Sequence, residues 1–224
     1  MLNFVTVCTD SYPIEYARKL HTRVSSISKF KFNHYCITDR PDEVAEWATP
    51  IEPFVKASGW WNKVNLFSPQ MPSGDILYMD LDIVILKNFD VEIEFMRSDS
   101  APISCVSDAI TWMGERFSSS LMLIKEYCHT NIFQQFENNF QNLVNRPGGD
   151  QVWIGPQLSN VYYIDDDYPN FKKNLKFHLA NIEDNKLSLP LHIDENIKLI
   201  DCTGRPKPHE LIALPYIKHN WHDI

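Results

Sequence analysis

Short apolar runs alternate with amphipathic stretches along this chain, and clusters of turn residues separate them. Residues 2–8 are apolar or β-branched and stop at Thr9-Asp10-Ser11, the pattern of a strand that ends in a polar turn. Pro13 suits the first turn of a helix whose apolar stripe is Tyr16, Leu20, Val24 and Ile27. Residues 34–37 predict a second strand, and 60–67 a short helix with Trp60, Val64 and Phe67 on one face. After the turn Pro72-Ser73-Gly74-Asp75, residues 76–86 read as one long buried strand. Further strands are expected at 103–106, 119–124, 161–164 and 197–200. The clearest amphipathic helix covers 131–144, with Phe133, Phe136 and Phe140 at helical spacing, and a closing helix is expected over 210–221. Strands alternating with helices predict an α/β fold, a mixed central sheet flanked by helices, with ligands at the carboxyl ends of the strands. No repeat or linker interrupts the pattern, so one domain over 1–224 is expected.

Composition narrows the function classes. With 224 residues, 44% of them hydrophobic, the chain can build one sizeable core. A formal charge of −8 without a dense Lys/Arg block argues against nucleic acid as a partner. The five cysteines are scattered and form no Cys-x-x-Cys pair, so they read as small core residues rather than a zinc site or disulfide framework. No signal peptide is visible and no apolar run approaches the roughly 20 residues of a membrane span, so a cytoplasmic protein without a transmembrane segment is expected.

The most informative chemistry lies in Leu77-Tyr78-Met79-Asp80-Leu81-Asp82-Ile83-Val84. In an extended backbone, residues two apart point to one side, so Asp80 and Asp82 are aimed at one place. Like charges in an apolar run are costly unless a cation or strong donors meet them, which points to a divalent metal or phosphate chemistry. A solvated strand end with two unrelated acids is the plainer alternative. Thr9, Asp10 and Tyr12 end the first strand where such sheets seat a nucleotide, although a helix-capping cluster has the same composition. Lys63 can serve as a point charge at a pyrophosphate or as an ordinary surface lysine. Asp150 and Gln151 follow Gly148-Gly149 and can bind a polyhydroxylated ligand, or Asp150 can be a helix N-cap. Asp201-Cys202-Thr203-Gly204-Arg205-Pro206-Lys207-Pro208 pairs a carboxylate with a glycine able to bring backbone close to a ligand, then a lysine between two prolines, which suits a phosphate contact.

Taken in order, these segments resemble the family 8 glycosyltransferases of the GT-A type, which include glycogenin and bacterial galactosyltransferases. Residues 4–12 resemble the family's opening strand and its base-stacking tyrosine. Lys63 precedes the Asp-x-Asp as a donor-binding lysine does, and residues 77–90 match a pattern of the form LYMDxDxxVLxNxD. Residues 117–123 resemble FNSGVM, Asp150-Gln151 a later DQ, and 201–207 the segment HFxGxxKP. Two positions depart from the pattern: Asp201 stands where the family has a histidine metal ligand, and Ser118 and Ser120 stand for the Asn and Gly of FNSG.

The resemblance implies a single GT-A, Rossmann-like domain that moves a sugar from a nucleoside diphosphate-sugar, a UDP-sugar above all, to a carbohydrate or other hydroxyl acceptor with retention of anomeric configuration. It implies Mn²⁺ or Mg²⁺ on Asp80, Asp82 and Asp201. Donor contacts would come from Thr9, Asp10, Tyr12, Lys63, Asp80, Gly204 and Lys207, and the sugar would be positioned by Asp150 and Gln151. Two other readings fit parts of the chain. Asp80-Leu81-Asp82-Ile83-Val84 fits a haloacid-dehalogenase-like phosphatase with Asp80 as nucleophile and Asp165-Asp166-Asp167 as its acidic motif. A nucleotide-sugar binder without turnover would keep the donor residues alone.

Overall fold

The structure, a computed structural model, describes residues 1–9, 12–108, 116–126, 128, 130–145, 148–183 and 186–224. The chain opens with β1 (Leu2–Val7) and α1 (Ile14–Ile27), whose buried Tyr16, Leu20 and Val24 are the expected stripe. β2 (Asn33–Ile37), β3 (Thr49–Ile51), a 3₁₀ helix (Gly59–Phe67) and β4 (Asp75–Met79) follow. Next come β5 (Ile83–Ile85), α2 (Asp90–Ser98), β6 (Ile103–Ser107), β7 (Phe117–Ile124), α3 (Thr130–Leu143) and α4 (Gly149–Ile154). The last elements are β8 (Val161–Tyr163), β9 (Lys172–Asn174), β10 (Asn181–Glu183), β11 (Lys186–Ser188), β12 (Leu199–Asp201) and α5 (Pro215–Ile217).

Among the described residues, a seven-stranded mixed sheet has the order β3-β2-β1-β4-β7-β6-β8. β1 pairs parallel with β2 and with β4, so the chain moves outward from β1 in one direction and returns to start on its other side. That reversal leaves a crevice at the carboxyl ends of β1 and β4, the place where open α/β sheets bind ligands. Successive residues of β4 face opposite ways: Leu77 and Met79 pack with α1 and α2 residues, and Ile76 and Tyr78 with the Gly59–Phe67 helix and α3. Both faces being covered explains why these strands are apolar throughout rather than alternating. A smaller three-stranded sheet, β5-β12-β9, stands beside the crevice.

Several expected elements differ. Residues 59–67 form a 3₁₀ helix, whose three-residue repeat buries Trp61, Val64 and Phe67 and leaves Trp60 61% exposed. The α-helical period had placed Trp60 inward instead of Trp61. The run 76–86 is two strands in two sheets, joined by a tight turn in which the Ile83 N–H donates to the Asp80 carbonyl at 3.2 Å. Asp80 and Asp82 therefore flank a turn and do not alternate along an extended strand. The helix expected over 210–221 is reduced to a 3₁₀ turn at Pro208–Glu210, α5 and a wide turn over Lys218–His222. Pro215 lacks the N–H that a helix begun at 210 needs there. β3, with Pro50 at its centre, and α2, whose Val91 and Phe95 are exposed, gave too weak an alternation to be read in advance. No helix among the described residues is long and apolar enough to cross a membrane. All five cysteines are free, and four of them are buried.

Candidate active site

The crevice opens into a cleft of about 750 Å³. Strand ends build it. β1 delivers Thr9, whose hydroxyl accepts the Asn62 side-chain N–H at 3.0 Å, and Tyr12 follows across the turn. Asp10 lies outside the described residues. β4 delivers Asp80 and the turn Asp82, and the Asp80 N–H donates to the Ser120 carbonyl of β7 at 2.8 Å. The 3₁₀ helix brings Lys63, the start of α4 brings Asp150 and Gln151, and the loop after β12 brings Gly204 and Lys207. Gly148 (φ 89°) and Gly149 (φ 70°) are left-handed, which lets the chain turn abruptly into α4. Asp150 is thus the second residue of a helix whose N-cap is Gly148, and is not the cap itself.

Carboxylates and ammonium groups are interleaved. Lys63 Nζ lies 2.8 Å from Asp80 Oδ1, 3.1 Å from Ser119 Oγ and 3.7 Å from Asp150 Oδ2. Burial pulls the Lys63 ammonium down, but Asp150 and Asp80 outweigh it and hold its pKa above the ordinary lysine value. Asp80 also accepts the Tyr78 hydroxyl. Lys207 Nζ donates to Asp82 Oδ2 at 2.5 Å and to the Tyr12 hydroxyl at 2.7 Å. Burial and the neighbouring Asp201 and Asp80 raise the Asp82 carboxyl, and Lys207 opposes them. Burial, then Asp82, pushes the Tyr12 phenol up to about 12, so it stays a hydrogen-bond donor at neutral pH. Burial likewise raises Asp150, whose Oδ2 accepts no hydrogen bond from the described residues. A buried carboxylate oxygen without a hydrogen-bond donor is uncommon, and the nearest cation to this one is the Lys63 ammonium.

Asp201 is held differently. Its Oδ1 accepts the Thr203 N–H at 2.9 Å and the Thr203 hydroxyl, and its Oδ2 takes Lys172 Nζ at 2.6 Å. Lys172 also donates to Ser120 Oγ at 2.6 Å. Burial opposes ionisation of Asp201, yet Lys172 and Thr203 hold its carboxyl below the usual carboxylate range.

Solved structures similar to this chain in fold include glycosyltransferases. The galactosyltransferase LgtC, in complex with donor and acceptor sugar analogues, superposes with a TM-score of 0.62 at 13% identity, over 98% of this chain and 93% of that one. GlyE of Streptococcus pneumoniae TIGR4 gives 0.65 at 13% identity, over 93% of this chain and 56% of its own. Mouse xyloside xylosyltransferase 1 gives 0.50 at 16% identity, over 78% and 87%. The chain has the GT-A fold. No family model and no curated protein matches the sequence.

Within this GT-A fold, the residues expected from sequence to hold donor, metal and sugar, Asp10 aside, all line one cleft, as do Ser118 and Ser120. The acidic run 165–167 does not line it; Asp166 is engaged by Arg116, and Asp165 accepts the Ser107 N–H. The phosphatase reading therefore loses its second motif. Sequence reasoning missed Lys172, because β9 reads Lys-Lys-Asn with no apolar alternation, and only its parallel pairing with β12 (Asp201 opposite Asn174) brings Lys172 to Asp201. It also missed Asn62, Tyr78 and Ser119, ordinary polar residues whose roles follow from where their elements cross.

The donor chemistry suits a hard divalent ion at two positions. Asp80 and Asp82 present carboxylate oxygens to the cleft, where Lys63 and Lys207 are their cationic partners. Asp201, the third expected ligand, already receives three hydrogen bonds, and among the described residues no group of three His, Cys, Asp or Glu is arranged to hold a metal.

Proposed function

We propose that this chain, as one unit over 1–224, is a glycosyltransferase that moves a sugar from a nucleoside diphosphate-sugar, a UDP-sugar in the first instance, to a carbohydrate or other hydroxyl acceptor with retention of configuration. One observation carries the reading: five acids and two lysines from several elements meet in a single cleft at the point where the sheet order reverses, in a GT-A fold. The base would lie against Tyr12 and near Thr9. Asp80 and Asp82 would hold Mn²⁺ or Mg²⁺, with Asp201 joining them only on giving up Lys172. When bound, such an ion supplies positive charge at the diphosphate.

The remaining steps fall to the chain's own residues. As the anomeric C–O bond breaks, its electron pair stays on the departing phosphate oxygen. Lys63 and Lys207, preorganised in the cleft, meet that growing charge, and such fixed charges are the largest single contribution in many transfer reactions. The acceptor hydroxyl oxygen forms the new bond on the same face, and its proton passes to the departing phosphate oxygen, so no separate protein base is needed. Asp150, a cleft-lining carboxyl whose Oδ2 receives no hydrogen bond from the described residues, accepts a sugar hydroxyl and fixes the ring. Gln151 is oriented for the same task, its Oε1 accepting the Ser119 N–H at 3.4 Å and its amide donating to Asp108.

Thermal denaturation with nucleoside diphosphates is the direct test. UDP at about a hundredfold over its dissociation constant stabilises by roughly 2.7 kcal/mol, a rise of about 5–10 °C for a chain of this size. The shift is expected to be larger with Mn²⁺ than with EDTA, and UDP-sugar turnover separates the enzyme from a binder. Equal shifts from every nucleoside diphosphate, with or without metal, would count against the assignment.

A further inference from the structure

Two aromatic side chains stand in water at this cleft. Trp60 is 61% exposed and Phe177 53% exposed, and both line the cavity that holds Asp150, Gln151 and Lys207. Single exposed apolar residues are ordinary on protein surfaces. These two differ in being seated by the backbones that carry the site.

The 3₁₀ repeat that buries Trp61, Val64 and Phe67 turns Trp60 away from the core and toward the cleft. Its indole closes on the turn into α4: a Cβ added at Gly149 would lie 2.6 Å from Trp60 Nε1 and 2.9 Å from its Cδ1. The glycine is required there both by φ and by the ring, immediately before Asp150. Phe177 sits on a turn whose Lys176 and Phe177 N–H groups donate to Asn174 Oδ1 at 3.0 and 3.3 Å. The adjacent Lys176 ammonium lies 2.8 Å from where a Gly204 Cβ would stand. The Trp60 ring is thus set against the loop of Asp150 and Gln151, and Phe177 follows the lysine that lies against Gly204.

We propose that Trp60 and Phe177 form the acceptor subsite and that the acceptor is a pyranoside, presented by its C–H face. The inference rests on the glycosyl-transfer reading above. A pyranose ring has a face of polarised C–H groups and an edge of hydroxyls. Aromatic rings offer a negative face to the C–H groups at little conformational cost, since each has only two side-chain torsions. The hydroxyl edge needs a few fixed polar atoms, and the Asp150 carboxyl and the oriented Gln151 amide, which line the same cavity as Trp60, provide them. Rings and polar groups lining one cavity are what an apolar-faced, polar-edged ligand requires. A lipid would need a continuous apolar surface, and an extended peptide a row of unpaired backbone groups.

The test measures acceptor kinetics with UDP-hexose and a panel of methyl glucoside, methyl galactoside, lactose, maltose and cellobiose, beside a serine-containing peptide and a lipid alcohol. Wild type is expected to transfer to at least one pyranoside. Trp60→Ala and Phe177→Ala should each raise the acceptor KM tenfold or more, with kcat at saturating acceptor little changed and the melting shift given by UDP kept. Trp60→Tyr, which keeps a ring, should stay within about threefold of wild type and guards against a variant that merely misfolds. Unchanged KM in both alanine variants, transfer only to the peptide or lipid alcohol, or transfer to no pyranoside would overturn the acceptor assignment. Loss of the UDP shift in Trp60→Ala alone would overturn it too, by assigning that ring to the donor. Absence of any UDP shift in wild type would instead sink the glycosyl-transfer reading itself.

Discussion

Lys172→Met is expected to lower the melting temperature by about 6–20 °C at neutral pH. Lys172 and Asp201 are both almost wholly buried, with side chains 7% and 5% exposed, and their charges lie 2.6 Å apart. Removing one partner of such a pair leaves an uncompensated buried charge, at a cost of about 3–5 kcal/mol. In a chain of this length each kcal/mol corresponds to roughly 2–4 °C. Lys172→Met combined with Asp201→Asn should recover much of the loss, because replacing both charges of a buried pair is often close to neutral. The pH dependence has a definite sign. Lys172 holds the folded Asp201 carboxyl below its unfolded value, so the pair's contribution is present above the unfolded carboxylate pKa and is lost as pH falls through the folded one. The gap between wild type and Lys172→Met should therefore narrow as pH falls toward and below about 4. A gap that widens on acidification, or a single variant melting with wild type, would mean Asp201 is not a buried ionised partner of Lys172.

Lys207→Ala is expected to lower transfer about a hundredfold, the effect of losing one preorganised charge at a developing anion, on the order of 3 kcal/mol. The loop is set by Pro206 and Pro208 and by the Lys207 N–H donating to Glu210 at 2.7 Å, so the backbone keeps its course without the side chain. Stability is not spared, however, as it would be for an ordinary surface lysine. Lys207 is the partner of the buried Asp82, which in the variant keeps, among the described residues, the Tyr12 hydroxyl at 3.3 Å. A fall in melting temperature should accompany the fall in rate. The two effects separate when turnover is assayed well below the variant's transition and Asp82→Asn/Lys207→Ala is compared: removing the stranded carboxylate restores stability but not rate. Turnover equal to wild type in Lys207→Ala would remove this lysine from the diphosphate.

How far the site was legible depended on the kind of signal each residue carried. Asp201 ends a strand of the structure, Asp80 follows one directly and Thr9 lies two residues beyond one, and a change from apolar to polar near a strand end is visible in one dimension. Lys63 and Asp150 were found through their order along the chain. Lys172 was invisible because nothing in Lys-Lys-Asn distinguishes a buried ion-pair partner from a solvated edge; the parallel register between β9 and β12 makes the difference. Trp60 and Trp61 were exchanged because adjacent positions look alike until the helical repeat, three residues rather than 3.6, is known.

By itself, then, the chain's pattern determined the α/β class, the first strand and helix, the amphipathic α3 and the acids at the strand ends, since each rests on local periodicity or on a polar residue interrupting an apolar run. Tertiary structure alone decided the rest. It folded residues 76–86 across two sheets at the Asp80–Asp82 turn. It also gave each of the three expected metal acids a lysine from a distant segment, Lys63 for Asp80, Lys207 for Asp82 and Lys172 for Asp201. Charges buried together must be neutralised by whatever the packing brings within reach, and partners 17 to 125 residues apart in sequence are brought there only by the crossing of strands.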